Sequence, residues 1–268
     1  MHPTFEVFGV TLHSYGLMLV LAALAGTGLA AWRAPRYGVQ RDDTLYCIIY
    51  ACIGALIGAK LLYLITVIPK VIQNWSVFQG NFWLLVQYLL GGLVFYGGFL
   101  GGAAGLMLYL KHYKVPVWPM VNALVPAIPL AHAIGRVGCF LGGCCYGIPV
   151  SWGVCMSPLG GAPEGVPLLP VQLIESGYLL LLSGVLLLLS RRIHRTGGLL
   201  GTYLIAYGVE RFILEFFRYD AIRGVWGGLS TSQWISLALL PIGVALFFLP
   251  LDRLHFTRQG IRIDPIEP

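Results

Sequence analysis

VWPMVNALVPAIPLAHAI, residues 117–134, runs directly into GRVGCFLGGCCYG, residues 135–147. The first part is apolar and close to the ~20 residues of helix needed to cross a hydrocarbon core. The second puts Arg136, a set of glycines and the cysteines Cys139, Cys144 and Cys145 at the end of that span. Ionisable residues are costly at membrane depth unless they have a task. An arginine at a span end, beside backbone that only glycine tolerates, suggests a pocket for an anionic group. In a bilayer the commonest such group is a lipid phosphate.

The rest of the chain supports a membrane setting. It has 268 residues, 57% hydrophobic and only 10% charged, with 35 glycines, and its mean hydropathy is +0.79. So few charges cannot clothe a soluble surface. Glycine inside apolar runs is typical of packed membrane helices. The net charge of +6 does not indicate nucleic-acid binding, because the basic residues fall at span ends and no nucleic-acid motif accompanies them.

Seven apolar runs are long enough to cross, near Leu12–Trp32, Leu45–Ile68, Leu89–Leu110, Val117–Ile134, Leu168–Leu189, Leu199–Phe217 and Trp234–Leu251. The expected fold is therefore all-α, a polytopic membrane protein. The third run carries GGLVFYGG at 91–98, a candidate broken or re-entrant segment, which is allowed only where it lines a cavity or packs on protein. With no repeat, tail or linker to divide it, residues 1–268 are expected to form a single integral membrane domain.

Basic residues set the orientation. Arg33, Arg36 and Arg41 follow the first run, Lys111 and Lys114 the third, Arg191, Arg192 and Arg195 the fifth, and Arg253, Arg258 and Arg262 the seventh. These exits are expected to be cytoplasmic, with the N-terminus outside and the C-terminus inside. The first run has no Lys or Arg before it, which argues against a cleavable signal peptide. Segments 69–88, 135–167 and 218–233 then face outward, and loop 135–167 contributes to the site.

Four cations depart from that rule. Counted from Leu45, Lys60 lies roughly 22 Å up the second run, and Arg211 lies roughly 18 Å along the sixth. Arg136 and Arg218 lie at the outer ends of the fourth and sixth. One such cation alone would be read as snorkelling to the interface; four on three spans point to a shared anionic ligand. Tyr207, Arg211, Glu215 and Arg218 share one helical stripe. An Arg211–Glu215 ion pair would fix the guanidinium and leave donors for a phosphate. Glu210 falls off this stripe and receives no role.

Other features read as structural. Gly97, Gly101 and Gly105 form a small-residue ridge suited to close helix packing. Pro170, Gln172 and Glu175 open the fifth run as ordinary helix-start residues. The spacing of Cys139, Cys144 and Cys145 departs from the paired C-x₂₋₄-C units of zinc sites, so no metal is expected. On the outer side, disulfides persist, which permits a Cys139–Cys144 or a Cys145–Cys155 bridge. Cys47 and Cys52 read as small buried apolar residues.

The blocks HSYGLM at 13–18, GAKLLY at 58–63, GGLVFYGGFLGG at 91–102, GRVGCFLGGCCYG at 135–147, PVQLIE at 170–175, YGVERFILEFFR at 207–218 and LSTSQWIS at 229–236 stand in an order similar to that of prolipoprotein diacylglyceryl transferases. The resemblance runs through essentially the whole chain. It implies an enzyme of the bacterial plasma (inner) membrane, with its active site toward the outer leaflet. That enzyme would move a diacylglyceryl group from phosphatidylglycerol to the lipobox cysteine of a prolipoprotein signal peptide, releasing glycerol phosphate without a cofactor or metal. It also places Tyr15, Arg136, Gly147, Arg211 and Glu215 on positions important for activity. Tyr96 joins the expected catalytic set. Lys60, Gly97, Gly98, Cys139, Gly143, Gly147, Gln172, Glu175, Tyr207 and Arg218 form the expected substrate-binding set.

Relative to the family's common pattern, Tyr96 stands in place of histidine, Cys139 in place of asparagine, and Leu169 in place of a histidine before the proline. Tyrosine, with a reference pKa of ~10, is a poor base at neutral pH. Glu215 or the substrate phosphate would then take the thiol proton, and His132, one turn before Arg136, is a substitute. The cysteines are expected to shape the pocket rather than carry a covalent intermediate. Two other readings remain: a phospholipid-dependent transferase with a different acceptor, and a non-enzymatic lipid-binding or transport protein. A channel would need charges lining a route to both faces, and here the unusual charges stop in the outer half.

Overall fold

The computed structural model describes residues 4–7, 10–193, 195–219 and 225–248. It is mostly helical, at 74% helix. A hairpin of β1 (Thr4–Val7) and β2 (Val10–His13) leads into α1 (Ser14–Arg33) and α2 (Arg41–Gln73). The short helices α3 (Trp75–Phe78) and α4 (Phe82–Leu90) precede α5 (Phe95–His112), and α6 (Val117–Leu124) precedes α7 (Ala127–Gly142). Strands β3 (Pro149–Cys155) and β4 (Pro167–Leu168) pair antiparallel ahead of α8 (Val171–Leu189) and α9 (Gly198–Leu214). A small hairpin, β5 (Val225–Trp226) and β6 (Leu229–Ser230), then starts α10 (Thr231–Phe248).

Five of these segments are long and apolar enough to cross a membrane: Ser14–Tyr37, Arg41–Gln73, Val117–Gly142, Val171–Leu189 and Thr231–Phe248. Their surfaces invert the soluble pattern. Leu24, Leu56, Ile65, Leu181 and Leu188 are exposed, whereas Gln172, Glu175, Ser176, Ser183 and Arg211 are buried. This is the arrangement that a hydrocarbon solvent favours, because polar groups must find partners inside the protein.

The chain forms two compact units, one from the described parts of Met1–Tyr37 and Trp118–Leu254, the other from Gly38–Val117. In the first, α1 packs on α7, α7 on α8, α8 on α9 and α9 on α10. Val125, Leu182, Leu186, Leu199 and Tyr203 make its apolar core. Polar side chains stitch the helices as well. Ser176 Oγ donates to the Ala133 carbonyl at 2.9 Å, Ser183 Oγ to that of Pro126 at 2.8 Å, and Tyr178 OH to that of Ala206 at 2.8 Å.

In the second unit α2 and α5 pack along glycines. A Cβ at Gly58 would fall 2.8 Å from Gly101 Cα, and one at Gly101 would fall 2.9 Å from Gly58 Cα. The small-residue ridge thus serves close helix packing, as its spacing predicts. The third expected run is broken: α4 ends at Leu90, and α5 begins at Phe95. The intervening backbone packs on α2, where Val94 N–H donates to the Ala59 carbonyl at 3.1 Å.

Several sequence expectations need correction. The fourth run continues to Gly142 rather than stopping at Ile134, so Arg136 lies inside α7, not at its end. The sixth leaves α-helical geometry after Leu214, and Glu215–Phe217 form a tighter 3₁₀ turn. Arg33, one of the basic residues behind the expected orientation, is 1% exposed. It donates to the Asn122 and Ala123 carbonyls at 3.1 and 3.3 Å, satisfying the C-terminal end of α6. Neither of the two disulfides that the outer location would permit is present, since all six cysteines are free thiols. Arg253, Arg258, Arg262 and the end of the seventh run at Leu251 lie outside the described residues.

Candidate active site

The GGCCYG sequence works as a turn that folds back on its own helix. Gly143 ends α7 with φ 72°, and a Cβ there would meet the Ser157 backbone. Only glycine takes that conformation without strain at so close an approach. Gly143 N–H donates to the Phe140 carbonyl at 3.2 Å, and Cys144 N–H to the Cys139 carbonyl at 3.1 Å. The buried Gln172 side chain fixes the turn from α8, with Nε2 donating to the Cys144 carbonyl at 2.7 Å.

Beyond the turn the chain is laced to the end of α9. Ile148 N–H donates to the Phe217 carbonyl at 2.9 Å, Tyr219 N–H to that of Tyr146 at 3.2 Å, and Gly147 N–H to that of Leu169 at 3.0 Å. A Cβ on Gly147 would lie 2.7 Å from the Phe217 oxygen and 2.8 Å from that of Leu169. Gly147 is therefore needed for close backbone approach, and it is bridged to Arg218.

Between these elements runs an alternating chain of charges. Glu175 on α8 is fully buried. Arg136 Nη2 of α7 lies 2.8 Å from its Oε1, and Arg211 Nη1 of α9 lies 3.7 Å from its Oε2. Arg211 Nη2 pairs in turn with Glu215 Oε2 at 2.9 Å, and Arg218 Nε lies 3.9 Å from the same oxygen. The predicted Arg211–Glu215 pair is thus formed. Arg211 Nη2 also donates to Ser232 Oγ at the start of α10, at 3.3 Å.

Three guanidinium cations face two carboxylates in this chain. Arg136 Nε and Arg211 Nη1 are buried and make no hydrogen bond. Buried donors without acceptors are costly, and an anion with several oxygens would satisfy both. Glu175 stands apart from the other expected substrate-binding residues. With no exposed surface, it is the shared partner of two arginines from different helices.

The remaining expected residues of this unit cluster around the charges. Tyr207 stacks on Tyr203, with ring centroids 5.9 Å apart, and lies 5.7 Å from the His132 ring. His132 Nε2 is 3.7 Å from Glu175 Oε1. Tyr15, at the start of α1, packs against Gly138 of α7, within electrostatic reach of Arg136 and all three cysteines. The sulfurs of Cys139, Cys144 and Cys145 lie within 4.8 Å of one another.

Lys60, Tyr96, Gly97 and Gly98 belong to the second unit. Lys60 Nζ donates to the Leu89 carbonyl at 2.7 Å and sits over the Tyr63 ring, so it caps the end of α4. Gly97 packs against α2 at Gly58, whereas Gly98 stands off Ala55 and Ala59 at ordinary contact distance. Tyr96 is 44% exposed.

Sequence reasoning passed over Ser232 and Glu210. The Glu210 carboxylate oxygens are buried without a hydrogen-bond partner. The residue lines an apolar cavity of about 490 Å³ between α8 and α9, with Trp152, Ile174, Tyr178, Ile213 and Phe217. Its one available signal was a carboxylate placed inside an apolar run. Ser232 carried none, since a serine at a helix start is commonplace.

Comparison with known proteins gives the chain's family. A family model described as prolipoprotein diacylglyceryl transferase matches residues 3–249. The chain is 38% identical over 247 residues to the phosphatidylglycerol–prolipoprotein diacylglyceryl transferase of Clostridium tetani (strain Massachusetts / E88), covering 91% of this chain and 95% of the relative. It is 36% identical over 244 residues to phosphatidylglycerol–prolipoprotein diacylglyceryl transferase 2 of Clostridium perfringens (strain 13 / Type A), at 90% and 92% coverage. To the enzyme so named in Clostridioides difficile (strain 630) it is 32% identical over 233 residues, at 87% and 88% coverage. With a match that spans the described helices and every residue of the charge chain, the protein belongs to the prolipoprotein diacylglyceryl transferase family.

Proposed function

We propose that this protein transfers the diacylglyceryl group of phosphatidylglycerol to the lipobox cysteine thiol of prolipoprotein signal peptides and releases glycerol phosphate. The observation that carries the reading is the pair of buried guanidinium donors, Arg136 Nε and Arg211 Nη1, left without hydrogen-bond acceptors on either side of Glu175. They suit a phosphate diester whose bridging oxygen gains charge as it leaves.

In the transfer, the acceptor sulfur attacks the glycerol carbon that bears the phosphate ester. A carbon–sulfur bond forms, the carbon–oxygen bond breaks, and its electron pair stays on the departing glycerol phosphate. Donors aimed at those oxygens stabilise the developing charge most where water is excluded. The thiol proton ends on the glycerol phosphate, directly or through Glu215, so the overall charge is conserved. Arg218, tied to Glu215, and Tyr207, beside Arg211, complete the phosphate side. Tyr15 borders the same region. Gly143 and Gly147 let the backbone fold close around the substrate.

The reading includes seven crossings in a single membrane domain of the bacterial inner membrane. The N-terminus is outside, the C-terminus is inside, and the site opens toward the outer leaflet. The short α9 and the broken α4–α5 segment supply the crossings beyond the five long apolar ones.

The test is purified protein supplied with phosphatidylglycerol and a lipobox peptide. The expected result is a peptide mass increase of one diacylglyceryl group with equimolar glycerol phosphate release, and rescue of a strain depleted of its own transferase. Glycerol phosphate release without peptide modification would assign a different acceptor. Lipid binding without turnover would overturn the enzymatic reading.

A further inference from the structure

The sequence spacing of Cys139, Cys144 and Cys145 argues against a metal site, yet the fold brings their sulfurs together. Cys139 lies in the last turn of α7, and the left-handed Gly143 reverses the chain. Cys145 itself has φ 61°, unusual for a side-chain-bearing residue. Backbone held in such a conformation persists only where its surroundings over-determine it. Here Gln172 grips the Cys144 carbonyl and Tyr146 pairs with Tyr219, fixing the chain on both sides of Cys145. The result is three sulfurs mutually within 4.8 Å, each partly accessible and none in a disulfide.

Metal–thiolate bonds of about 2.3 Å set the sulfur separations of a three-thiolate site at roughly 4 Å. The observed cluster therefore needs to contract by less than about 1 Å to close on an ion. Thiolate is the form that binds metal, and metal binding itself drives the thiols to deprotonate.

We infer that Cys139, Cys144 and Cys145 form a three-thiolate binding site for a soft, thiophilic d¹⁰ cation of the zinc and cadmium class. Soft sulfur ligands select such ions over magnesium or calcium, which require oxygen donors. Binding displaces the thiol protons to solvent and involves no change of oxidation state. A dication with three thiolates carries one excess negative charge. The site is independent of the transferase reading, because it rests on the sulfurs and not on the phosphate donors.

The experiment is a Cd²⁺ titration of the purified, reduced full-length protein, followed by thiolate-to-cadmium charge-transfer absorption. One ion per chain is expected. The band should be lost in Cys144→Ser and in Cys145→Ser and retained in Cys155→Ser. No band, or a band that survives both of the first two substitutions, would overturn the site. A variant-free measurement is alkylation of the wild-type protein with and without Cd²⁺, read by peptide mass spectrometry. Protection of Cys139, Cys144 and Cys145 but not Cys155 supports the site, and equal labelling of all four refutes it.

Discussion

Replacing Glu175 by glutamine tests whether the charge chain is a scaffold for the arginines. The amide is nearly the same size, so the buried volume is kept. Its oxygen can still accept from Arg136 Nη2, now 2.8 Å away, but it offers no charge to Arg211 Nη1 at 3.7 Å. Breaking a buried pair by removing one partner costs about 3–5 kcal/mol, because a desolvated charge is left behind. The amide oxygen can offset part of this by accepting one charge-assisted hydrogen bond from Arg136, worth roughly 1.5–3 kcal/mol. The net loss of stability should therefore be about 2 kcal/mol. Arg211 keeps Glu215 at 2.9 Å, so its guanidinium would swing toward Glu215 and away from position 175.

A displacement of about 1 Å at a reacting group costs on the order of 10²-fold in rate. Glu175→Gln is expected to lose that factor in kcat/KM for phosphatidylglycerol, mostly in kcat, while inserting normally. Steady-state kinetics in detergent, alongside a thermal unfolding curve, measures both effects. If the variant unfolds at a lower temperature yet turns over within about threefold of wild type, Glu175 stabilises the fold without positioning the arginines for catalysis.

Further predictions address the rest of the site. Arg136→Ala and Arg211→Ala should each lower transfer by at least 10²-fold, the usual order for losing one charge-stabilising donor, with the protein still membrane-inserted. Near-full activity of either in the purified assay removes that arginine from the phosphate clamp. Gly147→Ala puts a methyl group against the Phe217 and Leu169 carbonyls and should cost about 1–3 kcal/mol as an overpacking defect. An unchanged melting temperature would show that the loop yields more easily than these distances suggest. Chelators should leave transfer unaffected, because the donors for phosphate are side chains. Loss of activity on EDTA treatment, restored by one specific metal, would contradict this.

Much of the architecture was legible because its determinants are local in sequence. Long apolar runs announce membrane helices wherever they occur, and all seven expected runs contain helix, five of them long and apolar enough to cross. The 4-residue spacing of Arg211 and Glu215 was enough to predict their pair, since helical periodicity alone brings such residues together. Arg136 stood out because a charge in apolar surroundings needs a reason.

What the sequence could not disclose are contacts made between helices distant along the chain. Glu175 looked like a helix-start acid, and only the packing of α7, α8 and α9 makes it the shared partner of two arginines. Arg33 was legible as a basic residue after the first run, but not as the donor to the carbonyls that end α6. The cysteines had the wrong spacing for a metal site, but a left-handed glycine turn and the grip of Gln172 converge their sulfurs regardless of spacing. Hydropathy and helical period act over a few residues and are written in the sequence itself. Which buried charge meets which depends on the tertiary packing that removes both from water.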